Sequence, residues 1–183
     1  MLRPGLDVVF CGTAAGNASA ARGAYYAGRG NRFWSILHET GLTGTASPLR
    51  PDEWRLLDGF GIGLTDLCKS LHGMDSDLPS GAFDAARLRA AIEECAPRAL
   101  AFNGRTAAQA FLGRAVKPGL QPETEGTTAI WALPSTSGAA RGHWDPGPWL
   151  DLARSIGKAP AEGKEAGTAG YAGTTLEGWR GPK

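Results

Sequence analysis

Long apolar runs, cysteine pairs and an excess of charge of either sign are all missing from this 183-residue chain. No stretch approaches the ~18 consecutive apolar residues of a membrane-spanning helix, so no membrane association is expected. Residues 1–5 lead directly into a strand-like run, with no basic-then-apolar leader ahead of it, and a cytoplasmic, monomeric protein is the expectation. The three cysteines, Cys11, Cys68 and Cys95, are too few and too scattered for a disulfide framework. No CxxC pair points to zinc, and no metal is expected. With a formal net charge of +1, composition carries no electrostatic argument for nucleic acid. Any DNA contact has to come from a few locally placed basic groups.

What is present is a hydrophobic fraction of 42%, enough for one core in one domain. Four short apolar runs, at 8–11, 62–64, 99–102 and 129–133, each followed by Gly or polar residues, predict strands. Helical patterns fall between and after them, at 32–39, 51–58, 83–94, 105–112 and 146–156. Pro51, Asp52 and Glu53 place a φ-fixed residue and two acids in a helix's first turn, and Gly59 and Gly61 stop that helix. The alternation predicts an α/β fold, a single three-layer α/β/α domain on a short central parallel sheet. The predicted domain spans residues 1–158. Residues 159–183, rich in Gly, Ala, Thr, Lys and Glu with few large apolar groups, read as a flexible tail.

Open parallel sheets bind ligands beyond the carboxyl ends of their strands. That rule selects four loops, 12–30, 65–80, 103–106 and 134–143, which hold the chain's less ordinary chemistry. In the first, Gly12, Thr13, Ala14, Ala15 and Gly16 are small enough for a flat ligand to lie on the backbone, although a tight strand-to-helix turn has the same composition. The spacing is neither GxGxxG nor GxxxxGK[ST], which argues against a dinucleotide or phosphate loop. Tyr25-Tyr26-Ala27-Gly28-Arg29-Gly30-Asn31-Arg32-Phe33-Trp34 combines stacking groups, arginines and an Asn at a helix start, where Asn31 is equally suited to capping. Phe33 and Trp34 are expected in the core. Ser135, Thr136, Ser137 and Gly138 offer hydroxyls and N–H groups to phosphate.

Three of these segments, taken together and in order, resemble the mismatch-specific uracil/thymine-DNA glycosylases of the uracil-DNA glycosylase superfamily. PGLDVVFCG is similar to that family's first strand, GNRFWSILHETGLT to its NRFW helix, and LPSTSGAAR to its LPNPSGLSR loop; the likeness spans about residues 3–156. YYAGRGNRFW, GIGLTDLCKSLHGMDSDL, AFNGRTAAQAF and LPSTS look closer to the hypoxanthine-DNA glycosylase branch. The resemblance implies a compact α/β domain that flips a damaged base out of DNA and cleaves its N-glycosidic bond, needing no cofactor. Its partner would be DNA containing uracil or an abasic site.

The family's first motif is GINPG, whose Asn positions a water; aligned without gaps, that Asn falls on Ala14, which has no hydrogen-bonding side chain. The resemblance then leaves three replacements open: Asn31, Asp66, or leaving-group stabilisation by N–H groups and arginines with no positioned base. It also implies that Tyr26 stacks on the flipped base and that Gly16 lets the base approach the backbone. Gly138, Ala139, Ala140 and Arg141 would stand where the family's duplex wedge stands, with Ala139 a small plug, while Arg22 and Arg29 would grip phosphate. The rival readings are a non-catalytic protein that binds uracil or abasic sites, and a hypoxanthine-directed glycosylase.

Overall fold

Successive strand residues point to opposite faces of a sheet, so a strand that is apolar throughout must be covered on both sides. The first strand shows this: in β1 (Val8–Gly12, VVFCG) all five residues are buried. Val8 and Phe10 enter one apolar cluster while Val9 and Cys11 enter a second. In the computed structural model, which describes residues 1–138, 140 and 144–160, the elements after β1 are α1 (Asn17–Arg22), α2 (Phe33–Glu39), a 3-10 helix (Pro51–Phe60) and β2 (Ile62–Asp66). After two short 3-10 turns (Asp75–Asp77 and Ser80–Ala82) come α3 (Ala85–Cys95), β3 (Ala99–Asn103), α4 (Arg105–Leu112), β4 (Gly119–Glu125), β5 (Thr128–Leu133) and α5 (Gly147–Ser155). Ala139, Arg141, His143 and the part of the predicted tail from residue 161 onward lie outside the described residues.

The five strands form one sheet in the order β2-β1-β3-β5-β4. Pairing is parallel between β1 and β2, β1 and β3, and β3 and β5. On one face, Phe10, Leu64 and Trp131 pack with Phe33 and Leu37 of α2 and with Trp149 and Leu152 of α5. On the other, Val9, Leu100 and Phe102 pack with Leu88 and Ile92 of α3 and with Ala107 and Phe111 of α4. Each fully buried Leu, Ile or Phe contributes ~1.5–3 kcal/mol by leaving water, which makes these two clusters the main source of stability. The three-layer α/β/α architecture agrees with the sequence reading.

Three elements depart from that reading. The sheet is not wholly parallel, because β4 pairs antiparallel with β5 as an edge strand. Its sequence, GLQPETE, is polar and contains Pro122, which edge strands tolerate because one side of the ladder is unpaired. The loop 12–30 contains α1, a six-residue helix with no buried residue and therefore no apolar period to reveal it. The segment predicted as a helix from Pro51 is a 3-10 helix, ended by Gly61 at φ +75°.

Candidate active site

The connection from β1 leads to β2 on one side, and β3 returns on the other, so the carboxyl end of β1 is the point where strand order reverses. Crevices form there because the loops of neighbouring strands leave in opposite directions. A cavity of about 570 Å³ opens at this point. The register brings three strand ends together: Gly12 pairs with Asp66, and Asn103 closes β3 on the other side of β1. Gly12 has no side chain to fill the space between them. A Cβ at this position would lie 3.0 Å from Asp66 Oδ1 and 3.6 Å from Tyr26 Oη. The missing side chain of β1 is therefore what leaves the cavity floor open between a carboxylate and a phenol.

Asp66 is 6% exposed yet lines the cavity. Lys69 Nζ donates to its Oδ2 at 3.1 Å. Arg87 of α3 clamps the backbone at this point, its Nη2 donating to the Asp66 carbonyl at 2.6 Å. Burial pushes the Asp66 carboxyl above its ordinary value, and the Lys69 and Arg87 cations only partly oppose that shift. A buried carboxyl poised in this way in a cavity marks a functional-site candidate on physical grounds.

Tyr26 adopts φ +53°, a left-handed conformation that non-glycine residues rarely take and that tends to occur where the fold imposes strain for a purpose. One face of its ring stacks on Phe33, with centroids 3.9 Å apart, so only the opposite face is left to meet a ligand. Its hydroxyl is buried without a well-formed hydrogen bond among the described residues, and burial holds the phenol far above its ordinary pKa. The nearby Asn103 amide is already committed: its Nδ2 donates to Thr136 Oγ1 at 2.8 Å, and its Oδ1 accepts from Thr136 N–H at 2.9 Å.

Thr136 is therefore a strut. Thr136 lines the cavity with Ser135 and Ser137, yet it is 1% exposed, tied to Asn103 by its hydroxyl and N–H, and bound through its carbonyl to Arg32 N–H at 2.9 Å. Ser135, Ser137 and Ala140 line the cavity. Gly138 packs against the 29–30 turn, where a Cβ would meet the Arg29 carbonyl at 3.0 Å.

Asn31 stands at the junction of helix and cavity. Its Oδ1 accepts the Phe33 N–H at 3.0 Å, one residue ahead of the α2 N-cap Arg32, and the residue also lines the cavity. Its Nδ2 has no hydrogen bond among the described residues. Thr13, Ala14, Ala15 and Gly16 form one wall of the cavity. Arg22 and Arg29 are exposed and do not line it; Arg22 Nη1 reaches the Ala27 carbonyl at 3.4 Å. The cation at the cavity rim is Arg105, exposed at the start of α4 and overlooked in the sequence reading. Lys69 and Asn103 were overlooked as well. Among the described residues, no group of three His, Cys, Asp or Glu gathers to hold a metal.

The profile of the uracil DNA glycosylase superfamily matches residues 1–153. The chain belongs to that superfamily. This membership places the protein among the DNA glycosylases at family level. A solution NMR structure of a provisionally named uracil DNA glycosylase from Methanosarcina acetivorans superposes with a TM-score of 0.56 at 22% identity, over 85% of this chain and 93% of that one. At this identity the likeness concerns the fold. Within a superfamily that acts on DNA, the arrangement of Gly12, Tyr26, Asn31 and Asp66 acquires a chemical context.

Proposed function

We propose that this superfamily member flips uracil out of single- and double-stranded DNA and hydrolyses its N-glycosidic bond, leaving an abasic site. The observation that carries the reading is the cavity floor at Gly12, open beneath a buried, cation-braced carboxylate and beside Tyr26, which lines the cavity. In this mechanism the extruded base stacks on Tyr26. Asp66, ionised, accepts a proton from a water whose oxygen attacks the anomeric carbon. The C–N bond breaks with its electron pair moving onto the uracil ring, and the Asn31 amide donates to a carbonyl oxygen where that charge collects. The proton later passes from Asp66 to the departed base. Asp66 thus takes over the water-holding role for which Ala14 has no group, and Arg105 is the cation nearest to hand for phosphate.

Uracil-containing oligonucleotides, scored both for retention in a gel and for alkali-sensitive breaks, test the reading. Breaks at uracil are expected; retention without breaks would make the protein a non-catalytic binder. Hypoxanthine is the second reading, because it presents the same lactam N–H and carbonyl edge and because Ala14, Ala15 and Gly16 leave a roomy wall. Matched strands carrying uracil, hypoxanthine, xanthine or thymine separate the two.

Asn31→Ala removes both the acceptor of the Phe33 N–H and a donor. It is expected to cost ~1 kcal/mol of stability, as loss of one hydrogen bond does, and to lower kcat by ~100-fold, as loss of one charge-stabilising donor does. Asn31→Asp keeps an acceptor for the Phe33 N–H and loses the donor, so it should melt close to the parent while remaining impaired. Equal kcat in the parent and Asn31→Asp would remove Asn31 from the chemistry.

A further inference from the structure

Among the described residues, four large apolar side chains are markedly exposed: Leu56, Leu71, Met74 and Leu120. Leu71 and Met74 both lie in the loop after β2, at 44% and 59% exposure. Met74 alone of the four lines the cavity. A single exposed apolar side chain is ordinary on a protein surface; what sets Met74 apart is its place at the mouth of the cavity, where it can meet the apolar face of a base that arrives with the substrate.

The loop that carries Met74 is held firmly to the wall of the cavity. Ala15 and His72 pair as a short parallel bridge, and Gly73 N–H donates to the Ala15 carbonyl at 3.0 Å. His72 Nδ1 and Asn17 Oδ1 are 3.0 Å apart, and the Thr13 hydroxyl bonds the Asp75 carboxylate. Gly73, at φ +145°, makes a turn that a residue with a side chain would take only with strain, and the turn brings the chain to Met74. The exposed Asp75 and Asp77 repel phosphate. The rim at this point therefore favours the uncharged faces of bases over the backbone.

Extruding a base from a duplex costs a few kcal/mol of lost pairing and stacking and leaves a gap in the stack. An apolar side chain inserted beside that gap offsets part of the cost. We infer that Met74 is a wedge residue: it enters the duplex beside the extruded nucleotide from the β2 side of the cavity and supports the flipped state by packing on the neighbouring base. The inference rests on the base-excision reading of the same cavity. Met is suited to this use because its unbranched, polarisable chain adapts to whichever base it meets.

Single-stranded DNA has no partner strand and little stack to break, so the test is a ratio. The kcat/KM for uracil in a duplex, divided by that for the same strand alone, is compared between the parent, Met74→Ala and Met74→Leu. The ratio is expected to fall about 10-fold in Met74→Ala and to recover in Met74→Leu. An unchanged ratio, whether both substrates hold or both decline together, overturns the inference.

Should the parent release uracil from neither substrate, the base-excision reading fails, and the wedge is judged without chemistry. 2-Aminopurine placed beside a tetrahydrofuran abasic analogue in a duplex brightens when it is unstacked. Brightening by the parent and not by Met74→Ala upholds the wedge, and equal signals overturn it.

Discussion

Asp66→Asn is expected to lower kcat for uracil release by ~100-fold or more, the scale of a positioned general base, while the protein melts no lower than the parent at neutral pH. The two outcomes have one physical origin. Burial raises the Asp66 carboxyl above its ordinary 3.8, which means that the folded protein holds the carboxylate less readily than the unfolded chain does. For an acid shifted upward, the favourable contribution to stability is complete below the unfolded value and is lost as pH rises through the folded one. At neutral pH the ionised Asp66 is therefore a burden on the fold, carried for chemistry, and an uncharged amide of the same shape relieves it.

Activity follows the opposite sign. It needs the carboxylate, so kcat/KM should rise with pH through an acidic limb displaced upward from the ordinary position of an aspartate by burial. Lys69→Ala removes the cation 3.1 Å from Oδ2 that partly counters burial, and should move that limb to still higher pH. pH–rate profiles of the three proteins, with melting curves alongside, check the argument. A parent profile without the limb, or full activity in Asp66→Asn, would remove Asp66 from the proton-transfer step.

Tyr26 is expected to divide cleanly between its ring and its hydroxyl. Tyr26→Ala loses a stacking surface worth ~1–3 kcal/mol per base, so kcat/KM should fall by ~10- to 100-fold, with binding and turnover declining together. The same change exposes the face of Phe33 on which the ring rests and lowers the melting temperature. Tyr26→Phe keeps the ring and removes a buried hydroxyl that has no well-formed hydrogen bond among the described residues. The ring packing on Phe33 is kept, so this variant should melt close to the parent and well above Tyr26→Ala. Its kcat/KM should stay far above that of Tyr26→Ala. Comparable losses in the two variants would mean that the hydroxyl, not the ring face, meets the base.

Much of the frame was legible along the chain because it is local. Runs such as VVFC and ALAF are buried on both sides and so read as strands without help from partners. Gly12 and Asp66 were accessible by the same logic, since residues at strand ends border the crevice of any open parallel sheet. What escaped had no local signature. β4 is polar, at an edge, and interrupted by Pro122; it is a strand because β5 offers it a ladder. α1 buries nothing and is too short to show a period.

In the candidate site the division is sharper. Asn103 and Thr136 are 33 residues apart and joined by two hydrogen bonds, a pairing set by the adjacency of β3 and β5 that no local pattern announces. Asn31 was open to capping or to chemistry, and only the folded geometry shows its amide oxygen engaged with the Phe33 N–H and its amide nitrogen without a hydrogen bond among the described residues. Ala14 posed the question of what replaces a lost side chain, and the answer offered here depends on Gly12, Tyr26 and Asp66 meeting at one point.

The sequence by itself determined the layers, the strand ends and the superfamily, because apolar periodicity and ordered motifs are properties of contiguous residues. The tertiary structure alone decided which polar groups face the cavity, which are spent on one another, and where an apolar side chain stands at its mouth. Hydrogen bonds and burial are settled between strands, across distances that no local pattern records.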